Sequence, residues 1–195
     1  MTEPLALLGD HAHLERKAAS NALELLNRWP ADAPAAQWVS ILAAVARDET
    51  LHLHAVSRLL TQRGGSLPRV HRNTYASALH ALVRRGQGPL EILDRLLVSA
   101  LIEARSCERF VALARVGEDA ELIAFYRSLH DAEMSHYKVF LHLAAMVVPT
   151  PAREQRWAEL LDAEAVILAA QDAGPRVHSG ATQSAIRRTD TWISA

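Results

Sequence analysis

Two copies of a Glu-x-x-His motif occur in this chain of 195 residues. Glu49 and His52 form the first copy, and Glu133 and His136 form the second. A spacing of three residues places both side chains of a pair on one face of a helix. Each pair could therefore chelate one metal ion. A helical site for two metals would need two further carboxylates from neighbouring helices.

Two other glutamates lie where those carboxylates are needed. If the chain turns near residue 32, Glu15 and Glu49 each lie about 17 residues from the turn, at equal heights in an antiparallel helix pair. A turn near residue 118 pairs Glu103 with Glu133 in the same way, each about 15 residues away. Glu108 is the competing choice, but it would lie about five residues, or ~7 Å, from the level of Glu133. The register therefore favours Glu103.

The surroundings and types of these six side chains indicate a dinuclear metal site. Each candidate interrupts an apolar stripe of its helix, where burying a carboxylate without a partner would cost free energy. The alternative is that these side chains lie on solvated faces, which is the more common case for a single Glu-x-x-His motif. Two motifs in register with two further glutamates favour the metal interpretation. Four carboxylates and two imidazoles without a thiolate favour iron or manganese over structural zinc, and we expect iron. The metal chemistry alone leaves oxygenation, oxidase activity and iron storage open.

Composition and periodicity predict the elements that must position these residues. Aromatic residues make up only 5% of the chain, which disfavours an all-β fold. Apolar residues recur at three- and four-residue spacing between clusters of Pro and Gly, which is typical of amphipathic helices. We predict helices over about 4–28, 35–62, 74–85, 89–116, 118–148 and 153–172. Residues 1–175 are expected to form one helical domain, and residues 176–195 a C-terminal tail.

The cellular location is predicted from what the sequence lacks. The single cysteine, Cys107, has no partner for an intrachain disulfide, and the first 30 residues do not resemble a secretory signal. Charges interrupt every helical stretch before it reaches the ~20 apolar residues that span a bilayer. We therefore expect a cytoplasmic protein without a membrane segment.

Three stretches of the sequence resemble the MiaE-type tRNA hydroxylases. They are DHAHLERKAAS at 10–20, IEARSCERF at 102–110 and EMSHY at 133–137, and the resemblance extends to the segment RVHSG at 176–180. It implies an all-α, ferritin-like four-helix bundle with extra helices and a C-terminal tail. It also implies a non-haem di-iron centre that uses dioxygen to hydroxylate the isopentenyl group of 2-methylthio-N6-isopentenyladenosine beside the tRNA anticodon.

The resemblance also assigns roles and partners. It matches the six candidates to the ligand pattern of the family, namely Glu15, Glu49, His52, Glu103, Glu133 and His136. By analogy with other helical di-iron carboxylate proteins, Glu49 and Glu133 would bridge the two irons, while Glu15 and Glu103 would be terminal ligands. The expected partners are the tRNA anticodon arm and an electron-donating reductase or ferredoxin, and we expect a monomer. The alternative is a ferritin-like iron-storage or di-iron oxidase protein that acts without RNA.

A basic segment in the middle of the chain provides a candidate RNA contact. Between Thr50 and Leu90 the sequence contains no Asp or Glu and six arginines, namely Arg58, Arg63, Arg69, Arg72, Arg84 and Arg85. Such a cluster binds a phosphate backbone through counterion release, and arginine also stacks on unpaired bases. The alternative is a solvated face whose arginines pair with acids from elsewhere in the fold.

Two further expectations concern residues around the predicted metal site. His11 lies one turn before Glu15, and we interpret it as a packing or surface residue in preference to a ligand-orienting one. The prenyl group of the substrate is expected to enter the bundle near Leu96, Phe110 and Phe140, since these apolar residues lie on the helices that carry the ligands.

Overall fold

The computed structural model describes residues 3–31 and 33–180, and six helices form the regular structure of that part. They are α1 (Pro4–Leu26), α2 (Ala35–Gln62), α3 (Thr74–Ala81), α4 (Pro89–Val116), α5 (Ala120–Val147) and α6 (Thr150–Ala169). The described residues contain no strand, which confirms the predicted all-α class. The predicted limits of the second and fourth helices are confirmed at both ends.

Local interactions explain where the shorter elements begin and end. The Asn73 side chain caps α3 by accepting a hydrogen bond from the backbone N–H of Ala76, and Asp119 caps α5 in the same way. The predicted end of α3 near residue 85 was wrong, because the helix stops at Ala81. The backbone N–H of Arg84 instead donates to the carboxylate of Asp94 on α4.

The four long helices form two antiparallel hairpins. Helix α1 packs along α2, α4 packs along α5, and the hairpins meet where α2 contacts α5. A crossover over residues 63–88 joins the hairpins and contains α3, while α6 lies against α3, α4 and α5. The predicted four-helix bundle with extra helices is therefore confirmed. In the part of the chain that the structure describes, no helix is both long enough and apolar enough to span a membrane.

Two separate apolar cores occupy the two ends of the bundle. One includes Trp38, Leu96 and Phe140, and the other includes Val56 and Phe110. On each long helix the predicted metal ligands lie between the residues of the two cores. The bundle is thus apolar at both ends and carries a polar layer across its middle.

The crossover and the C-terminal segment are both tied to α1. The Lys17 ammonium donates to Nδ1 of His71, whose Nε2 donates to Asp10 at 2.7 Å. The other oxygen of Asp10 accepts from the backbone N–H of Val177. Residues 176–180, which the sequence assigns to the tail, therefore pack against the bundle, with Val177 fully buried. The rest of the predicted tail, 181–195, lies outside the described residues.

Candidate metal centre

The polar layer brings together all six predicted ligands. They form two groups in which the possible ligand atoms lie within 4.8 Å of one another. The first group contains Glu15, Glu49, His52 and Glu133, and the second contains Glu49, Glu103, Glu133 and His136. Glu49 and Glu133 belong to both groups. This is the arrangement expected if those two carboxylates lie between two ions.

Two close contacts between predicted ligands in the layer are not hydrogen bonds. Nδ1 of His136 lies 2.7 Å from Oε1 of Glu49, and Nδ1 of His52 lies 3.2 Å from Oε1 of Glu133. These four atoms are buried, and none has a hydrogen-bond partner among the described residues. Buried polar atoms are almost always hydrogen-bonded, so four such atoms in one layer need another explanation. Each pair joins one imidazole nitrogen and one carboxylate oxygen, which are atoms that could share a cation.

The pKa values in the layer reflect crowded negative charge. Burial raises the pKa of Glu49 well above the usual carboxyl value, and the neighbouring carboxylates raise it further. The pKa of Glu103 is raised for the same reasons. Burial alone would lower the pKa of His52, but its contacts with Glu133 and Glu15 raise it to about 10. A metal cation would take the place of the protons that this layer otherwise retains.

His11 is a functional candidate whose role the sequence interpretation got wrong. Its Nε2 lies 2.5 Å from Oε1 of Glu15, and its ring stacks on Tyr126. Burial alone would raise the pKa of Glu15, but the charge and hydrogen bond of His11 hold it well below the usual value. His11 thus orients a predicted ligand and keeps it ionised. The spacing of four residues on one face was the available signal.

Glu108, the competing choice on α4, lies outside the metal layer. Its side chain is exposed and pairs with Arg105. Glu103 is 5% exposed and lies in the second ligand group. The register argument therefore selected the glutamate that lies in the layer.

A cavity of about 150 Å³ reaches the layer from one side of the bundle. Its walls include Glu15, Glu103, Ile102, Ser106 and His178. The lining residues Lys17 on α1 and Ser77 on α3 are exposed, so the cavity reaches solvent between these two helices.

Leu96, Phe110 and Phe140, near which the substrate is expected to enter, do not line this cavity, and Phe110 lines a separate cavity of about 250 Å³. All three are at most 1% exposed and belong to the apolar cores. They lie on the ligand-bearing helices, as predicted, but their side chains fill the two ends of the bundle.

The six arginines of the basic segment fall into two classes. Arg63 pairs with Asp119 and Glu121, and Arg84 pairs with the buried Asp94. The other four are exposed, and their side chains form no ion pair or hydrogen bond with the described residues: Arg58, Arg69, Arg72 and Arg85. The alternative interpretation, pairing with acids from elsewhere, thus holds for two of the six. His71, next to Arg72, contacts Lys17 beside the cavity opening.

The donor set fits a pair of hard, redox-active cations. Carboxylate oxygens outnumber imidazole nitrogens and no thiolate is present in either group, which favours iron or manganese over structural zinc. The acids project inward from four different helices at one level, as in helical dinuclear carboxylate proteins.

Comparisons with known proteins agree with this geometry. A family model described as tRNA-(MS2IO6A)-hydroxylase (MiaE) matches residues 3–179. The chain is 39% identical over 179 residues to a Pseudomonas putida protein named tRNA 2-(methylsulfanyl)-N(6)-isopentenyladenosine(37) hydroxylase, spanning 91% of this chain and 84% of that protein. A Salmonella typhimurium protein of the same name is 33% identical over 146 residues, or 74% of this chain and 52% of that protein.

A solved structure also resembles the chain over most of its length. It is described as Protein 43 with aldehyde deformylating oxygenase activity from Synechococcus. The two chains superpose with a TM-score of 0.84 at 32% identity, covering 92% of this chain and 89% of the other.

Proposed function

This chain belongs to the MiaE family of tRNA hydroxylases, and from that premise we propose that it hydroxylates the isopentenyl group of 2-methylthio-N6-isopentenyladenosine beside the anticodon of tRNA. The fold is a ferritin-like helical bundle, as the similar oxygenase structure indicates. The observation that carries the proposal is the buried layer of four carboxylates and two imidazoles beside a cavity.

Two iron ions are the cofactor that best fits this layer. Glu49 and Glu133, which belong to both ligand groups, would bridge the ions. Glu15 with His52 would complete one side, and Glu103 with His136 the other. When bound in the ferrous state, the iron pair supplies the two-electron reduction of dioxygen that hydroxylation of a C–H bond requires.

We propose that the cavity admits a slender apolar group, whose entry would displace water from the site of oxidation. Leu14, Ala18, Ala76 and Ile102 provide apolar surface on the walls, and the carboxylate layer closes the inner end. The base itself must leave the anticodon stack for its side chain to enter, which a single-stranded loop permits at modest cost. Entry between α1 and α3 leaves the ribose and phosphates outside the bundle.

Basic side chains near the opening are the proposed RNA contacts. Arg69 and Arg72 lie on the crossover next to His71, which the Lys17 ammonium contacts beside the cavity. Arg58 on α2 and Arg85 on the crossover are also exposed and could extend the proposed contact. Arg63 and Arg84 belong to the same segment, but their charge is balanced by acids. Phosphate contacts of this kind position the RNA, and the cavity selects the side chain.

The reaction requires a source of electrons that the chain does not contain. We propose that a reductase or ferredoxin supplies two electrons per turnover and that the enzyme acts in the cytoplasm as a monomer. One chain contributes all six ligands and the described walls of the cavity, so the site is complete without a second copy.

Labelled dioxygen tests this function directly. The ferrous protein, a reductant and prenylated tRNA should yield a nucleoside that carries one labelled oxygen atom, while the second labelled atom leaves as water. Cells that lack the protein should accumulate the unhydroxylated nucleoside. Label found only in water, with the prenyl group unchanged, would favour an oxidase or iron-storage protein that acts without RNA.

A further inference from the structure

The C-terminal residues 176–180 complete one wall of the cavity. The Arg109 guanidinium donates to the carbonyl oxygen of Ser179, and the backbone N–H of Gly180 donates to Asp172. A Cβ at Gly180 would lie 1.9 Å from the carbonyl oxygen of Gln171, so only glycine fits there. These contacts hold the segment tightly although it has no regular secondary structure.

This segment buries His178 in the cavity wall. The side chain lines the cavity with Glu15 and Glu103, and it is 4% exposed. Nδ1 lies 3.0 Å from the Asn73 amide nitrogen, and Nε2 lies 3.2 Å from the Ser106 hydroxyl. Both ring nitrogens therefore have polar partners, and the imidazole is fixed between α3 and α4.

The cap of α3 determines which ring nitrogen carries the proton. Oδ1 of Asn73 accepts the backbone N–H of Ala76, so the amide nitrogen must be the atom that faces His178. An amide nitrogen only donates, and Nδ1 of His178 must therefore accept. Burial and the neighbouring Arg109 and Arg105 lower the pKa of His178 to about 3, which keeps the ring neutral. Its single proton lies on Nε2 and points at Ser106.

This tautomer fixes the direction of the Ser106 hydroxyl. Because Oγ accepts from Nε2 of His178, its own hydrogen must point elsewhere. Ser106 makes no second hydrogen bond among the described residues, whereas Ser99 on the same wall donates to the carbonyl of Arg95 one turn back. Ser106 lies one turn beyond Glu103 and lines the cavity, so its hydrogen is free to face the interior.

We propose that Asn73 and His178 are positioning residues that hold the Ser106 hydroxyl as a hydrogen-bond donor to the oxygen atom inserted into the substrate. The inference rests on the proposed hydroxylation, in which R–H, dioxygen, two electrons and two protons give R–OH and water. The competing outcome combines dioxygen with the same electrons and protons to give hydrogen peroxide and leaves R–H intact. A donor fixed beside Glu103 retains the oxygen in the cavity until the C–H bond is broken.

The tautomer is measurable without turnover. Full-length protein loaded with zinc and labelled with nitrogen-15 histidine should show, by NMR, a neutral His178 ring protonated at Nε2. A His178→Gln variant identifies the signal. Asn73→Ser retains a good helix cap but is too short to reach the ring, and it should give a mixture of both neutral tautomers. A wild-type ring protonated at Nδ1, or at both nitrogens, would overturn the proposal.

The proposal also predicts how much hydroxylated nucleoside is formed for each electron pair that the enzyme consumes, a ratio called coupling below. Ser106→Ala should lower the hydroxylated nucleoside formed per electron pair about fivefold to tenfold, as for loss of one hydrogen bond, with hydrogen peroxide making up the difference. Ser106→Thr keeps the hydroxyl and should recover most of the coupling.

Ser128→Ala is the control for this experiment. It removes a hydroxyl that is exposed on α5, outside the cavity, and that donates to the backbone carbonyl of Phe125, so coupling should stay at the wild-type value. Equal coupling in Ser106→Ala and wild type would refute the positioning role. Absence of any hydroxylated nucleoside from wild-type protein would refute the proposed function instead.

Discussion

Buried carboxylates occur in two regions of this bundle and are neutralised in opposite ways. Outside the central layer, Asp94 is fully buried and accepts hydrogen bonds from Arg84 and Arg156. Glu164 on α6 is likewise held by Arg105 and by the Tyr75 hydroxyl. In both cases the protein supplies its own cations, and the acid fastens one element to another.

The central layer contains four buried glutamates, and the ion pairs that they form with described residues involve only histidines. Two of these glutamates, Glu49 and Glu103, have raised pKa values, and two imidazole nitrogens lack hydrogen-bond partners. Leaving charged groups unpaired in a core costs several kcal/mol, so a fold gains nothing from it unless a cation binds there. The difference teaches that the partner, and not burial alone, separates a structural acid from a metal ligand.

Loss of metal should be the largest effect of any substitution in the central layer. Replacing Glu103 with alanine removes a ligand from one of the two proposed ions and should reduce bound iron to about half of the wild-type content or less. Glu15→Ala, Glu49→Ala and Glu133→Ala should also impair binding. Elemental analysis of purified protein measures this. Glu108→Ala is the matched control on the same helix, because its exposed carboxylate pairs with Arg105, and it should retain more iron than Glu103→Ala. The reverse order would contradict the assignment.

Asp94 and Glu164, the buried acids that pair with arginines, should affect stability and not iron content when they are replaced. Asp94→Asn leaves two guanidinium groups facing a neutral amide and should lower the free energy of unfolding by about 3 kcal/mol, the low end for breaking a buried ion pair. The low end is expected because Arg84 is 31% exposed and stays partly hydrated. Denaturant titration measures the loss. Iron per folded chain should stay at the wild-type value, and a loss of iron would break the distinction between the two regions.

Much of the central layer was predictable because helical periodicity is strict. A three-residue step and equal distances from two turns were enough to place Glu15, Glu49, Glu103 and Glu133 at one level. The side-chain partners of the basic segment were not predictable in the same way. The acid opposite Arg84 is ten residues away on α4, and the acids opposite Arg63 lie more than 50 residues away.

The cavity was the part that the sequence could not reveal. Its walls come from α1, α3, α4 and the segment 176–180, and His178 lies in a stretch with no apolar periodicity. Whether a loop folds back depends on single contacts, such as the backbone N–H of Val177 with Asp10, which leave no repeating pattern in the sequence. Apolar residues on ligand-bearing helices suggested an entrance near Leu96, but they form the two cores instead.

Stability of the metal-free protein should depend on pH through the central layer. Glu49 and Glu103 have folded-state pKa values above the ordinary value of 4.5, so their contribution to stability is complete below pH 4.5 and is lost as pH rises. Each proton that the folded state retains contributes about 1 kcal/mol per pH unit to the slope. His52 begins to contribute only above its ordinary value of 6.5, so the window from about pH 5 to 6.5 excludes it. His71, His80 and His178, whose pKa values burial lowers, contribute the opposite slope in this window, so the effect of the two glutamates is measured as a difference from a variant that keeps these histidines.

The double variant Glu49→Gln with Glu103→Gln supplies the comparison. It lacks both titrating groups, so its free energy of unfolding should fall less steeply with pH than that of wild type across this window. Urea titrations of both metal-free proteins at several pH values measure the two slopes. Parallel slopes would show that these carboxylates do not hold protons in the folded state.

The smallest expected effect separates two neighbouring arginines, of which only Arg84 is paired with a buried acid outside the central layer. Arg85 is exposed and forms no ion pair within residues 3–31 and 33–180, so Arg85→Ala should weaken tRNA binding a few-fold and reduce the salt slope by about 0.7, the value for one phosphate contact on a single strand. The Arg84 guanidinium is paired with the Asp94 carboxylate, so Arg84→Ala should leave the salt slope of tRNA binding unchanged. It should instead lower the free energy of unfolding by about 2 kcal/mol, as for loss of hydrogen bonds to a buried charge.

Binding titrations at several salt concentrations, run beside denaturant curves for both variants, measure both quantities. An unchanged slope in Arg85→Ala would remove this arginine from the RNA contact, and a reduced slope in Arg84→Ala would show that its pairing with Asp94 does not keep it from RNA.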